Sequence, residues 1–194
     1  ESNVPTPYLV THPLPGPPVT LLSAVPPAYI IHYALPLEYG FADELVVYRH
    51  GEKIRQDLLK EKTIVQSRYF LGTDSQVVYT CNFEKGVLRS NCSRDSITNF
   101  NYSYIPESEI DGAPPSLNPT DEKKLPDEKI LGIEAKCTQF SVQTDEGRGE
   151  IEFCLHPKFS NLVLRKNIII GIGTAKATKL SFDPIPDSVF ELPK

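Results

Sequence analysis

The chain of 194 residues has no methionine, no basic run and no apolar stretch of membrane-spanning length. A transmembrane helix needs about 20 consecutive apolar residues. The longest candidate here, Asn167-Ile168-Ile169-Ile170-Gly171-Ile172, is far shorter and reads as a buried strand. The 20 Lys and Arg against 25 Asp and Glu leave a net charge of −5 spread over mixed signs. That balance excludes a general nucleic-acid binder and offers anionic headgroups nothing to attract. The missing methionine, with Glu1-Ser2-Asn3-Val4-Pro5 at the start, leads to the expectation that an export leader has been removed. His12, His32, His50 and His156 fit neither H-x-x-x-H nor HExxH, and no C-x-x-C or G-x-S-x-G occurs. A preformed metal site, a redox dithiol and a hydrolase elbow are therefore not encoded. Gly171-Ile172-Gly173-Thr174-Ala175-Lys176 lacks the GK[ST] ending of a phosphate loop and reads as a bulged turn. Glu107, Glu109, Asp111, Asp121 and Glu122 do not match an EF-hand and read as a solvated loop. The expectation is a protein without cofactor or catalytic metal, and not an enzyme.

What is present begins with the cysteines. Cys81/Cys92 and Cys137/Cys154 each flank a polar, glycine-containing segment between strand-like runs. Zinc knuckles need cysteines two to four residues apart, so both pairs read as hairpin-clasping disulfides. In the chain-entropy model each such loop contributes roughly 3 kcal/mol. Disulfides persist in oxidising compartments, intracellular hyperthermophile proteins being the main exception, so a secreted or cell-surface location is expected. Asn91 and Asn101 stand in N-x-[ST] sequons as glycosylation candidates.

Proline divides the chain. Pro5, Pro7, Pro13, Pro15, Pro17, Pro18, Pro26 and Pro27 crowd the first 27 residues, and none occurs between Leu37 and Ile105. Residues 1–27 are expected to form an extended arm and 28–194 a single β domain. Short runs rich in β-branched and aromatic residues, such as Tyr29-Ile30-Ile31-His32-Tyr33-Ala34-Leu35 and Thr63 to Leu71, alternate with turns, which predicts an antiparallel meander. Residues 106–129 are read as a long acidic and proline-rich loop, with a helical turn near Thr120-Asp121-Glu122-Lys123-Lys124. Ile130 to Ala135 is read as a continuous strand.

Val46-Val47-Tyr48-Arg49-His50-Gly51-Glu52-Lys53-Ile54-Arg55-Gln56-Asp57, the second cysteine hairpin and Pro186-Asp187-Ser188-Val189-Phe190-Glu191-Leu192-Pro193 resemble segments of the LolA/LppX-like superfamily of extracytoplasmic lipid-binding domains. The resemblance implies a mainly β fold: a strongly curved antiparallel sheet, an incomplete barrel with little helix, whose concave side holds a lipid or other apolar ligand. Strand alternation nominates Val47, Ile54, Leu58, Ile64, Val78, Phe140, Phe153, Leu164 and Phe182 for that side, although each also suits plain core packing. The alternative is a structural subunit of an extracellular filament or surface layer. In that case Tyr8, Val10, Val19 and Leu21 of the arm add as a strand to a neighbouring subunit's sheet edge. A secreted hydrolase with a dispersed site is a third reading.

Overall fold

A computed structural model describes residues 28–37, 40–71, 77–96, 120–144, 147–159, 162–168 and 173–194. Among the described residues thirteen strands follow in chain order: β1 (Tyr29–Ala34), β2 (Glu44–His50), β3 (Lys53–Lys60), β4 (Thr63–Phe70), β5 (Val77–Glu84), β6 (Val87–Leu88), β7 (Ser93–Ser96), β8 (Thr120–Lys124), β9 (Glu128–Ile130), β10 (Ile133–Thr144), β11 (Gly147–Leu155), β12 (Val163–Ile168) and β13 (Gly173–Ser181). They form one antiparallel sheet in the order β6-β5-β4-β3-β2-β1-β13-β12-β11-β10-β8, with β7 against β5 and β9 against β10. The expected class holds: the protein is mainly β, the sheet does not close into a barrel, and both disulfides, Cys81–Cys92 and Cys137–Cys154, are formed.

Two meanders, β1 to β5 and β10 to β13, arise from local alternation and tight turns. Their union is non-local, made where β1 pairs with β13 through Ile31↔Leu180 and Tyr33↔Ala177. Register shifts at His32/Tyr33, Leu58/Leu59, Gln139/Ser141 and Cys154/Leu155 mark irregularities that bend strands and raise their twist.

Among the described residues, three two-residue hairpin turns have both central residues at positive φ, the conformation that matches strand twist: Glu61-Lys62, Lys85-Gly86 and Leu131-Gly132. The first carries no glycine, although Lys62 sits at φ 63°. Lys62→Gly is therefore expected to raise stability by up to about 1 kcal/mol, the cost an L side chain carries there. The check is the urea midpoint, and a lower midpoint in the variant contradicts the account.

Two local expectations are corrected. Thr120–Lys124 is a strand, not a helical turn. It pairs with β10 through Thr138↔Lys124 and Gln139↔Lys123, because that strand offers unpaired backbone groups which a lone capped turn does not. Ile130 to Ala135 is interrupted by the turn at Leu131-Gly132, so β9 folds back on the start of β10. The segment after Gly86 returns along β5 only through Val87 and Leu88 and then feeds β7, which pairs with β5 at Thr80↔Ser93. Cys92 thus joins β5 from the entrance of β7.

Registers assign each side chain to one of two faces. The core face carries Tyr29, Ile31, Tyr33, Leu45, Val47 and Leu58, all buried and in one cluster with Leu164 and Ala177. Across it the Tyr33 hydroxyl donates to the Val163 carbonyl at 2.7 Å, and burial pushes that phenol's pKa far above its ordinary value. The opposite face of β2 to β5 carries Val46, Asp57, Ser67, Tyr69 and Cys81. The C-terminal segment lies against β3: Arg55 donates to the Val189 carbonyl at 3.0 Å, Lys53 pairs with Asp187 at 3.0 Å, and Ile185 and Phe190 are buried. The Lys53 ammonium holds the Asp187 carboxyl below its usual pKa.

Candidate functional site

Two transverse rows on the core face change from apolar to polar as they cross the sheet. The first runs Leu180, Ile31, Val47, Gln56, Arg68, Thr80 and Ser93 over β13, β1, β2, β3, β4, β5 and β7. The second runs Ala177, Tyr33, Leu45, Leu58, Gln66 and Asn82. Directly opposite residues share a face, so these registers fix which side chains lie side by side. The Gln66 amide confirms the second row by donating to Asn82 Oδ1 at 2.9 Å.

Within the polar ends Gln56 and Thr80 are buried, Arg68 and Gln66 half-buried, and Asn82 and Ser93 exposed. Gln56 is 3% and Thr80 9% exposed. Gln56 Nε2, Gln66 Oε1 and Thr80 Oγ1 have no hydrogen-bond partner among the described residues. On the other wing of the same face, Phe140 and Phe153 meet edge to face with centroids 6.3 Å apart, and the buried Lys166 ammonium lies 5.6 Å from the centre of the Phe153 ring.

Of the nominated ligand-facing residues, Val47, Leu58 and Leu164 belong to the buried cluster, and Ile54 packs against it. Val78 is fully buried on the same face. Ile64 is opposite Leu59, which lies on the other face from Leu58. Phe182 lies beyond β13 in an aromatic group with His156 and Phe159, at centroid distances of 6.4 and 5.7 Å. Asn91 is exposed immediately before Cys92. Tyr8, Val10, Val19, Leu21 and Asn101 lie outside the described residues. Sequence reasoning did not single out Gln56, Gln66 or Thr80, because polar residues in alternating strands read as solvent-facing. The signal was parity: Gln56 stands between Ile54 and Leu58, and Thr80 follows Val78, at the two-residue spacing of one face.

Other groups of functional side chains are accounted for differently. Glu128 lies beside Cys137 and Cys154, a trio with ligand-like spacing. Both sulfurs are spent in the disulfide and supply no thiolate for a metal. Glu128 is instead an ion-pair hub, 3.1 Å from Arg165 and 2.8 Å from Lys176, while Arg165 also bonds Glu152 at 3.0 Å. An open depression of about 380 Å³ near the His32–Glu44 pair is lined by Ala34, Asp43, Glu44, Glu61, Lys62 and Thr178. Apart from Ala34 it is lined by polar or charged residues.

The His156 ring stacks on Phe159 with centroids 4.9 Å apart, and its Nδ1 accepts the Lys158 backbone N–H at 3.1 Å. Burial, and then the Lys158 charge, lower its pKa below 6.5. The folded state thus favours the neutral ring, so this contribution is complete above pH 6.5 and is lost as pH falls toward the depressed folded value. His156→Phe is therefore expected to gain stability relative to the parent between pH 7.5 and 5. Urea midpoints at the two pH values test this, and an unchanged difference contradicts it.

No protein-family model and no curated protein matches the chain. Among solved structures it is similar to the crystal structure of Mycobacterium tuberculosis lipoprotein LppX, with 10% sequence identity and a TM-score of 0.46. The match covers 82% of this chain and 87% of that one.

Proposed function

We propose that the protein is a non-catalytic, extracytoplasmic carrier that holds a lipid or other apolar ligand against the core face of its open sheet. The observation that carries this reading is the apolar part of the two rows, Leu180-Ile31-Val47 and Ala177-Tyr33-Leu45-Leu58, on a sheet that stops short of a barrel. A sheet with an apolar face must keep that face covered, as the fold does here with Ile31, Tyr33, Leu45, Val47 and Leu58 all buried, and an acyl chain packs among such side chains without hydrogen-bonding demands. Val47, Ile54, Leu58, Val78, Phe140, Phe153 and Leu164 are the proposed contacts. The two disulfides support an oxidising compartment.

Native mass spectrometry of the full chain from its own source tests the reading. The expected result is a non-covalent apolar mass released by organic extraction, together with uptake of a fluorescent fatty acid by the extracted protein. A ligand-free protein that takes up no amphiphile sinks the reading.

A further inference from the structure

The two disulfides differ in how an external thiol reaches them. Cys137 is 4% and Cys154 0% exposed, and both stand in the main buried cluster, so attack on either sulfur requires β10 and β11 to part. Cys81 is also 0% exposed, but its partner Cys92 is half-buried between the exposed Asn91 and Ser93. We propose that Cys81–Cys92 is a redox latch on the sheet edge: an external dithiol cleaves it in the native protein, β6 and β7 then leave β5, and the rest of the sheet stays folded. This proposal is independent of the carrier reading.

The latched segment is weakly held apart from the bond. Among the described residues β7 pairs with β5 alone, through Val77↔Ser96, Val78↔Asp95, Tyr79↔Arg94 and Thr80↔Ser93. Its Ser93, Arg94 and Asp95 are all exposed, so they add no buried packing to that short ladder. In β6, which is two residues long, Val87 is 69% exposed. Elements with so little burial open at the lowest free energy, and here the covalent closure of the loop from Cys81 to Cys92 opposes the opening. In the reaction the dithiol's thiolate attacks Cys92 Sγ, forms a mixed disulfide there and expels the Cys81 sulfur. The dithiol's second sulfur then displaces Cys92 and closes into a disulfide of its own. Two electrons pass from the dithiol to the protein, and its two protons end on Cys81 and Cys92. The β5 backbone groups that face β7 are then left as an uncovered sheet edge.

The test adds dithiothreitol to the full oxidised chain without denaturant, quenches with iodoacetamide at intervals, and follows peptide masses and amide exchange. Cys81 and Cys92 are expected to be alkylated at least about tenfold faster than Cys137 and Cys154, because local opening outruns the parting of a core hairpin. In the species with only the first bond cut, exchange is expected to quicken in β6 and β7 while β1 to β3 keep their protection. Reoxidation with oxidised glutathione is expected to restore the slow exchange. Equal or reversed alkylation rates, or no reduction short of unfolding, overturn the latch. Unchanged protection of β7 in the selectively reduced protein also overturns it, since pairing alone then holds the strand. Lost protection in β1 to β3 does the same, because the bond then supports the whole fold rather than its edge.

Discussion

Replacing Asp57 by alanine is expected to destabilise the protein by about 3–5 kcal/mol, the range for breaking a buried ion pair from one side. Asp57 is 1% exposed and accepts hydrogen bonds from Ser67 Oγ at 2.6 Å and Arg55 Nε at 2.9 Å. Burial works against the Arg55 charge, but its hydrogen bond and charge contact with Asp57 hold its pKa above the ordinary guanidinium value. The guanidinium also lies 5.5 Å and 5.3 Å from the ring centres of Tyr48 and Tyr69, whose phenols burial pushes up. Without the carboxylate, Ser67 loses its acceptor and Arg55 is left half-buried beside two rings. The Arg55 bond to the Val189 carbonyl then holds a charge without a counter-ion, so the C-terminal segment should loosen as well. Urea denaturation with an unchanged m-value is the measurement. Asp57→Asn, which keeps an acceptor for Ser67, should cost less than the alanine. A loss under about 1 kcal/mol for Asp57→Ala, the level of exposed pairs, contradicts the buried-pair account.

Removing either disulfide is expected to cost roughly 3 kcal/mol, the chain-entropy value for loops of this size. The sequence separations are 11 for Cys81–Cys92 and 17 for Cys137–Cys154. Where the loss is felt should differ. Cys137 and Cys154 are direct cross-strand partners in β10 and β11 and belong to the main buried cluster. Their replacement by alanine should lower global stability and protection throughout β10 to β12. Cys81–Cys92 ties β5 to the entrance of β7, so its loss should free chiefly β6 and β7, seen as fast amide exchange there with slower exchange retained in β1 to β3. Uniform loss of protection in both variants contradicts this division.

Much of the architecture was legible because it is local. Strand alternation in β1 to β5 reports directly on half-buried antiparallel strands, and the spacing of the cysteine pairs excludes knuckles and redox motifs without reference to the fold. Thr120–Lys124 was misread because its polar, charged residues suit a capped turn and an edge strand equally, and only the exposed backbone of β10 decides between them. The hairpin at Leu131-Gly132 was missed because a single glycine in an apolar run is compatible with a continuous strand. The apolar wall of the candidate site was nominated in large part from alternation. Its polar end was not, because Gln56 and Thr80 have meaning only once Val47↔Gln56, Gln56↔Arg68 and Arg68↔Thr80 are in register.

By itself the sequence determined the β class and the disulfide chemistry, since each follows from residue types a few positions apart. Only the tertiary structure decided that β1 meets β13, that the C-terminal segment lies against β3 opposite the core face, and that apolar and polar residues line up across strands. Those outcomes depend on pairing between segments far apart in the chain, where a one-residue slip would send every side chain to the other face.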